Sequence, residues 1–375
     1  MKYFIIAGEA SGDLHASNLM RELKLADKDA VFRFSGGDLM CTEAGEPVIH
    51  YRDMAFMGVV NVILHAKTIL RNFKIIQNEL LAFQPDVVIL VDYPSFNLRI
   101  ARFVKKHLSS KVFYYIPPKL WAWKEYRITS IRKYVDKVFT IFPFETAFYN
   151  KHKYDVEYVG NPTVDSVYSA LSETKLTFAE FFETNRLPSL PVIALLPGSR
   201  KQEIRGCLPR MIEAAKQFKD YQIVISGAPG IDADFYNKIA GGFPVVFQQT
   251  YELLKFSEAA VVNSGTATLE TALVGTPEVV VYHIPGKQLG YLAKKIFVRV
   301  KFISLVNLIA GKEVIKELYA HKFSVQRVRT ELELLLLNKE YRAGMLQGYE
   351  NVKKSLGNSG TAKRAAEKMI KYLRK

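Results

Sequence analysis

Two glycine- and hydroxyl-rich stretches in the second half of the chain decide the fold: Pro197-Gly198-Ser199-Arg200 and Asn263-Ser264-Gly265-Thr266-Ala267-Thr268-Leu269-Glu270. Each follows a short apolar run typical of a buried strand, and each places small residues where a helix is expected to begin. The first turn of a helix offers unpaired backbone N–H groups and the positive end of the helix dipole, which together bind phosphate groups. Arg200 adds a cation suited to a diphosphate, and Glu270 adds a carboxylate for ribose hydroxyls. The two stretches therefore predict a nucleotide-sugar site.

The composition is that of a folded protein with two domains. The chain has 375 residues, 49% of them hydrophobic, and its mean hydropathy is +0.01. The two cysteines, Cys41 and Cys207, lie far apart without metal-ligand spacing, which favours a reducing compartment. Met1 leads directly into a predicted strand, so we expect no signal peptide. No apolar run reaches the ~18 residues that a transmembrane helix needs.

The net charge points to anionic partners. Lys and Arg number 52 against 37 acidic residues, a net charge of +15, which suits nucleic acid, acidic lipid or phosphorylated substrates. The chain shows no zinc-finger spacing, no RNA-binding aromatic signature and no recognition helix. We therefore do not expect a nucleic-acid partner.

Short apolar strands and amphipathic helices alternate along the chain, which predicts parallel sheets covered by helices on both faces. The polar stretch 172–189 suggests a linker, so we place a domain boundary near residue 170. The expected fold is α/β, with two doubly wound Rossmann-like domains (1–170 and 171–349) that face each other across a cleft. The segment 325–375 is helical in pattern, with a break between Gly357 and Gly360. The predicted strands are 2–7, 31–35, 87–91, 111–116, 137–142, 192–196, 222–226, 244–247, 259–263 and 278–283, and the main predicted helices of the first domain are 14–26, 59–83, 96–108 and 125–134.

The loop after the first strand, Gly8-Glu9-Ala10-Ser11-Gly12-Asp13 followed by His15, differs from a dinucleotide-binding loop. It lacks the Gly-x-Gly-x-x-Gly spacing, and its two acidic side chains would repel a pyrophosphate. The loop is better suited to sugar hydroxyls. The alternative is an ordinary strand-to-helix turn in which Asp13 caps the helix that begins at Leu14.

Two further groups lie at predicted strand ends. Asp92 follows the strand 87–91, where a carboxylate can take a proton from an attacking hydroxyl; the alternative is a turn Asp that bonds nearby backbone. Trp121 and Trp123 follow Pro117-Pro118, which fixes a loop at the edge of the sheet. These rings either flank a sugar or an acyl chain, or pack internally.

The segment 56–81 combines an apolar patch with a basic row. One apolar stripe has helical spacing and is expected to face the core: Val59, Val62, Ala66, Ile69, Phe73, Ile76 and Leu80. Phe56, Val60, Ile63 and Leu64 lie off that stripe, and Lys67, Arg71 and Lys74 form the basic row. This pattern is typical of a helix that rests on a membrane surface, without spanning it. The alternative is a helix packed between two layers of the fold.

Taken together in order and spacing, these motifs resemble the lipid A disaccharide synthase family. The resemblance runs from residue 3 to about residue 320 and includes Ser304-Leu305-Val306-Asn307. It implies a B-type glycosyltransferase fold, and an enzyme that joins UDP-2,3-diacylglucosamine to 2,3-diacylglucosamine 1-phosphate. The products would be a β-1,6 disaccharide 1-phosphate and UDP. It also implies inverting chemistry, no metal and no cofactor. It further implies a cytoplasmic protein held peripherally at the inner face of a bacterial inner membrane.

The resemblance also implies a role for each matching residue. Asp92 would be the catalytic base, and the off-stripe patch at residues 56–64 with Lys67, Arg71 and Lys74 would meet acyl chains or the membrane. The acceptor would be bound by Glu9, Ser11, Gly12, Asp13 and His15. The nucleotide sugar would be bound by Gly198, Ser199, Arg200, Glu203, Ser264, Gly265, Thr266, Thr268, Glu270 and Asn307. A helix over 350–375 would rejoin the first domain.

One departure is visible, because Pro117 stands where the family commonly has Ser. This residue therefore supplies no hydroxyl. Two other interpretations stay open: another B-type enzyme that uses a UDP-sugar, such as a lipid glycosyltransferase or a UDP-N-acetylglucosamine epimerase, and a non-catalytic nucleotide-sugar sensor at a membrane surface. Acyl-chain preference and oligomeric state also stay open, with a homodimer as one alternative.

Overall fold

A computed structural model describes residues 1–54, 65–174, 176–283 and 301–374. The chain forms two compact units, one of Met1–Pro162 with Ser359–Lys375 and one of Thr163–Asn358. Each unit contains a six-stranded sheet in which every strand pair is parallel. The two-domain α/β fold expected from the alternation of strands and helices is therefore confirmed.

The first unit is built on the strand order β2-β1-β3-β4-β5-β6. Its strands are β1 (Lys2–Ala7), β2 (Val31–Ser35), β3 (Val87–Val91), β4 (Lys111–Tyr115), β5 (Lys137–Thr140) and β6 (Val156–Tyr158). Its helices up to the boundary are α1 (Ala10–Ala26), α2 (Asp38–Ala44), α3 (Ala66–Phe83), α4 (Pro94–His107), α5 (Ile128–Tyr134) and α6 (Pro143–Lys151). The central strands β1 and β3 are apolar on both faces and buried throughout after Lys2, as a sheet covered on both sides requires.

The second unit has the strand order β12-β11-β10-β7-β8-β9. Its strands are β7 (Val192–Leu196), β8 (Gln222–Gly227), β9 (Val245–Phe247), β10 (Ser257–Asn263), β11 (Glu278–Tyr282) and β12 (Lys316–Tyr319). The helices are α7 (Pro162–Glu173), α8 (Phe178–Thr184), α9 (Lys201–Ala215), α10 (Ala233–Asn237), α11 (Thr250–Lys255), α12 (Thr266–Val274), α13 (Leu305–Ala310), α14 (Val325–Leu337) and α15 (Lys339–Leu356).

The last helix, α16 (Thr361–Leu373), returns to the first unit. Its apolar side packs into the same core cluster as α1, with Ala365 and Met369 fully buried. On its polar side, Lys368 Nζ and the Tyr372 hydroxyl both reach the Glu157 carboxylate of β6, at 2.5 and 2.9 Å. The sequence prediction had this return begin at residue 350, but α15 belongs to the second unit.

The structure corrects the predicted boundary between the two units. Residue 170 lies inside α7, and the division falls after Pro162. The stretch 172–189 is not a linker, because Phe181 and Phe182 of α8 are buried in the core of the second unit. The Thr177 side chain starts that helix through a capping box with Glu180. The polar composition of the stretch 172–189 did not indicate that it contains a short helix with an apolar face.

Several element ends also differ. The short strands β6 and β12 were not predicted, and β4 ends before Ile116, whose φ of +58° is incompatible with a strand. The predicted helix 125–134 is a 3₁₀ turn, Glu125–Arg127, followed by α5. The predicted helix 59–83 is seen from Ala66 onward, and its first residues lie outside the described ranges. The break between Gly357 and Gly360 is confirmed, and both glycines have positive φ.

Candidate functional site

Each sheet reverses its strand order at one point, and the predicted motifs lie there. Ligands of doubly wound sheets bind at the carboxyl ends of the strands where the order reverses. In the first sheet this point lies between β1 and β3, where Ala7 pairs with Val91. In the second sheet it lies between β7 and β10. The structure therefore places the loops after β1 and β3 side by side in one unit, and the loops after β7 and β10 side by side in the other.

Asp92 lies at the end of β3 in a strained backbone. Asp92 and Tyr93 have φ values of +44° and +47°, a conformation that L-residues rarely adopt and that often marks functional sites. The Asp92 carbonyl accepts hydrogen bonds from Asn97 Nδ2 and the Tyr114 hydroxyl, each at 2.7 Å. Asn97 is fully buried at the start of α4, so this anchor does not move easily. The main chain is thereby fixed while the Asp92 side chain remains partly exposed.

The loop after β1 lies directly against this turn. A Cβ on Gly8 would lie 2.3 Å from Cγ of Tyr93, so only glycine allows the two loops to come this close. The Tyr93 hydroxyl donates to the Met54 carbonyl at 2.7 Å, and burial followed by the charge of Glu9 raises the pKa of Tyr93. Glu9 and Asp92 thus belong to one edge of the first unit. Ser11 is exposed in the first turn of α1, which begins at Ala10 and not at the predicted Leu14, and His15 is partly buried on the same helix.

Asp13 has a different role from the predicted one. Its carboxylate is only 3% exposed and accepts hydrogen bonds from the backbone N–H groups of Gly37, Leu39 and Met40, at 2.7, 3.1 and 3.1 Å. These are the unpaired donors at the start of α2. Asp13 therefore caps α2 and not its own helix, and its predicted acceptor contact stays a prediction. Gly12 packs closely against Ala7 and is buried as well.

The two tryptophans behave differently from each other. Trp121 packs edge-on against Phe142 and Phe144, and its Nε1 donates to Glu145 Oε1 at 3.1 Å. Trp123 is 51% exposed, with the Lys124 ammonium 4.3 Å from its ring centre. Trp121 is therefore a packing residue, and only Trp123 is free to meet a ligand from this loop.

Glu145 was not predicted from the sequence. It is 1% exposed in the first turn of α6 and accepts bonds from the backbone N–H groups of Ile141 and Phe142 as well as from Trp121. Burial raises the pKa of the Glu145 carboxyl to about 7, against the effect of those hydrogen bonds. Its only sequence signal is the position three residues after Phe142, where a glutamate can bond back to the start of the helix.

In the second unit, the two glycine- and hydroxyl-rich stretches line one pocket of about 320 Å³. Gly198 has a φ of +112°, which L side chains rarely adopt, so the turn after β7 requires glycine. The opposite wall was not predicted. It consists of residues 226–229 and Thr250, with the Ser226 and Thr250 hydroxyls 2.7 Å apart. The only sequence signal for this wall is the end of a predicted strand.

Glu203 holds the loop 197–200 together. One carboxylate oxygen accepts the Ser199 N–H at 3.2 Å, and the other accepts from Arg200 Nη1 at 3.1 Å. Asn263 Nδ2, at the end of β10, lies 3.5 Å from the first of these oxygens. The side chain of Arg200, the residue directly before α9, is 71% exposed. An arginine with this exposure can contact a bound anion.

The stretch 264–270 contains exposed residues with backbone N–H donors and buried residues whose side chains stabilise the loop. Gly265 and Thr266 are exposed at the start of α12, where no side chain caps the helix. The Ser264 N–H instead bonds to the Val281 carbonyl, and the buried Thr268 hydroxyl donates to the Gly265 carbonyl at 2.9 Å. The Thr268 hydroxyl is therefore engaged within the protein, and the predicted nucleotide-sugar contact of Thr268 stays a prediction. Glu270 lines the pocket one turn further on, and burial raises the pKa of its carboxyl.

Asn307 is the second clear correction. It is fully buried, and its Nδ2 donates to the Ile315 carbonyl and to Glu317 Oε1, at 2.8 and 3.0 Å. Its Oδ1 accepts from the N–H groups of Val314 and Ile315, at 2.7 and 3.0 Å. All of its polar atoms are therefore used to fix the turn before β12. The predicted contact with the donor sugar is not compatible with this arrangement.

The basic row on α3 is exposed as predicted, with Lys67, Arg71 and Lys74 facing solvent. Leu70, between them, is 63% exposed, whereas Ile76 and Leu80 of the core stripe are fully buried. Asn72, between these two faces, is buried and donates to the Asp53 carbonyl at 2.7 Å. The four off-stripe residues, Phe56, Val60, Ile63 and Leu64, lie outside the described residues.

The described part of the chain offers neither a metal-binding cluster nor a membrane-spanning helix. Residues 1–54, 65–174, 176–283 and 301–374 contain no group of three or more His, Cys, Asp or Glu placed to hold a metal ion. Within the same ranges, no helix combines the length and the apolar character needed to cross a bilayer.

Comparison with known proteins gives the family. A model described as lipid-A-disaccharide synthetase matches residues 3–370. The lipid-A-disaccharide synthase of Myxococcus xanthus is 36% identical, with 99% of this chain and 97% of the relative covered. That of Geobacter metallireducens is 34% identical, with 100% and 98% covered. A Methanocaldococcus jannaschii UDP-GlcNAc 2-epimerase, solved with UDP-GlcNAc and UDP, shares the fold with a TM-score of 0.65, 14% identity, and 99% and 100% coverage. The chain therefore belongs to the lipid-A-disaccharide synthase family.

Proposed function

We propose that this protein transfers 2,3-diacylglucosamine from UDP-2,3-diacylglucosamine to the 6-hydroxyl of 2,3-diacylglucosamine 1-phosphate. The products are a β-1,6-linked disaccharide 1-phosphate, a precursor of lipid A, and UDP. The observation that carries this proposal is the pocket at the strand reversal of the second unit, in a chain of this family. Such a reversal point, lined by glycines and helix starts, suits a nucleotide diphosphate.

The donor is bound by the second unit. The exposed N–H groups at the start of α12 and the Arg200 guanidinium face the same pocket and supply donors for the diphosphate. Glu270, one turn into α12, is placed to accept hydrogen bonds from the ribose. Asn307 and Thr268 act indirectly, because their polar groups are already bonded within the protein.

The acceptor is bound by the first unit, where Asp92 acts as the base. Its carboxylate takes the proton of the 6-hydroxyl while that oxygen forms a bond to C1 of the donor sugar. The bond from C1 to the diphosphate breaks on the opposite side, and its electron pair leaves with UDP, so the configuration at C1 inverts. Arg200 and the start of α12 stabilise the charge that develops on UDP, so this proposal requires no metal ion.

The exposed row Lys67, Arg71 and Lys74 supports peripheral binding to an anionic bilayer, where both lipid substrates reside. Each basic side chain near such a surface contributes about 1 kcal/mol. The curated relatives are bacterial proteins. We therefore place the enzyme at the cytoplasmic face of a bacterial inner membrane.

The test is UDP release by the purified protein given UDP-2,3-diacylglucosamine in mixed detergent micelles, with and without 2,3-diacylglucosamine 1-phosphate. We expect release only with the acceptor, together with a disaccharide 1-phosphate identified by mass. Turnover of UDP-N-acetylglucosamine without any lipid would instead indicate an epimerase. Binding of UDP without any turnover would indicate a sensor.

A further inference from the structure

The carboxylate of Glu203 occupies donors that a bound diphosphate needs. Both of its oxygens are engaged, Oε2 by the Ser199 N–H at 3.2 Å and Oε1 by Arg200 Nη1 at 3.1 Å. Asn263 Nδ2 approaches Oε2 at 3.5 Å. A backbone donor, a guanidinium and an amide gathered around two negative oxygens are the surroundings that a phosphate group also prefers.

The position of this carboxylate within the loop is equally specific. A Cβ built on Gly198 would lie 2.7 Å from Glu203 Oε2 and 2.7 Å from Asn263 Nδ2. Glu203 Oε2 therefore rests against the bare face of Gly198. In phosphate-binding loops, a glycine at such a point allows the ligand to approach the backbone closely. Here an acidic side chain of the protein itself fills that place.

We infer that Glu203 is an internal stand-in for the diphosphate, which holds the donors of the loop 197–200 until UDP binds and then gives them up. This inference rests on the proposed function, because it takes the pocket to be the nucleotide site. It changes the role of Glu203 from a residue that binds the nucleotide to one that competes with it.

The exchange follows from the hydrogen-bonding capacity of the groups involved. The Ser199 N–H carries one hydrogen and cannot serve the carboxylate and a phosphate fully at the same time. A carboxylate and a diphosphate that share the same donors also repel each other. The ion pair opposing the exchange is weak, because Arg200 is 71% exposed. Glu203 can therefore leave the donors at low cost and recapture them as UDP departs.

The experiment compares UDP affinity in wild-type protein and in Glu203→Gln by isothermal titration calorimetry, with uridine as a second ligand. Removing the competing charge should tighten UDP binding by up to about fivefold, the upper limit expected for one weak ion pair. Uridine has no phosphate, so its affinity should not change. Glu203→Ala is a second variant without the carboxylate and should shift UDP affinity in the same direction.

A matched control lies on the same helix. Glu213 is an exposed glutamate of α9, paired with Lys216 at 2.6 Å, and is about 15 Å further along the helix. Glu213→Gln makes the same change in net charge and should leave UDP affinity as in wild type. Thermal unfolding of each variant shows whether the protein used for titration is folded.

The outcomes separate this inference from the proposed function. If folded Glu203→Gln and Glu203→Ala bind UDP as weakly as wild type, or more weakly, the carboxylate organises the site instead of competing for it, and the inference fails. Equal tightening of uridine would also contradict it. If wild-type protein does not bind UDP at all, the pocket is not the nucleotide site and the proposed function fails first.

Discussion

The two units share one architecture but present opposite chemistry at the same place in the fold. At its strand reversal, the first unit offers the carboxylates of Glu9 and Asp92, and the Asp92 backbone is held at positive φ. The second unit offers backbone N–H groups and the exposed Arg200 around a pocket. An acidic edge suits a substrate that brings hydroxyl groups, whereas a donor-rich edge suits one that brings phosphates. We propose that the residues at the strand ends, and not the fold, assign the two substrates to the two units.

The largest expected effect tests the acidic edge. Asp92→Asn removes the charge of the proposed base while asparagine still tolerates the φ of +44° at this position. Turnover should fall by at least about 100-fold, since general base catalysis contributes that much or more. UDP affinity should not change, because the nucleotide is bound by the other unit. Steady-state UDP release measures turnover, and calorimetry on the same preparation measures UDP affinity. Retained turnover would exclude Asp92 as the base.

The next effect tests the donor-rich edge. Arg200→Gln removes a charge-assisted hydrogen bond to the diphosphate and should weaken UDP binding about 10- to 100-fold. Uridine affinity should change little, and acceptor affinity should be preserved. Calorimetry with UDP and with uridine separates the contribution of the diphosphate to affinity from that of the nucleoside. A variant that binds UDP normally but fails in turnover would show that Arg200 acts only on the transition state.

A third prediction distinguishes residues that stabilise the fold from residues that contact the ligand. Asn307→Ala leaves four backbone and side-chain partner atoms, buried or partly buried, without their bonds to Asn307 and should lower the free energy of unfolding by about 3 kcal/mol. The remaining folded protein should keep its UDP affinity. Asn351→Ala, at an exposed asparagine of the same unit, should have little effect on stability. Urea denaturation measures both variants, and a stable Asn307→Ala protein with lost UDP binding would restore the direct contact that the structure contradicts.

The fourth prediction concerns the pH dependence of stability in the first unit. Burial raises the pKa of Glu145 from 4.5 to about 7, so the folded chain binds a proton that the unfolded chain has released. The contribution of Glu145 to stability should therefore be fully present below pH 4.5 and be lost as pH rises through about 7, a change of up to about 3 kcal/mol. Glu145→Gln should remove this contribution. Urea denaturation between pH 4.5 and pH 8 checks it, and identical pH profiles of the two proteins would show that the carboxyl titrates normally.

Most of the fold could be predicted because buried parallel strands read as unbroken apolar runs. What escaped prediction is short or depends on distant partners. The four-residue strand β12 and the three-residue strand β6 are too brief to show a pattern, and α8 is concealed in a polar stretch. Local signals did locate Gly198 and Asp92, since both follow strongly apolar strands.

The roles of single polar residues were harder to predict than their positions. Asp13 looks like a ligand residue in the sequence, yet its partners are the N–H groups of α2, 24 to 27 residues away. Asn307 likewise bonds to residues 8 and 10 positions further on. Glu145 carries only a weak local signal, because its burial comes from the packing of the Trp121 loop. A side chain that serves the fold and one that serves a ligand have the same sequence signature until their partners are known.

The most direct test of the account is hydrogen–deuterium exchange of the intact protein, with UDP alone and with 2,3-diacylglucosamine 1-phosphate alone in micelles. We predict that UDP slows exchange in the segments 198–203 and 264–270 and leaves 8–15 and 92–97 unchanged. The acceptor should slow exchange in 8–15 and 92–97 instead. Protection of the first unit by UDP, or of the same segments by both ligands, would contradict the assignment of one substrate to each unit.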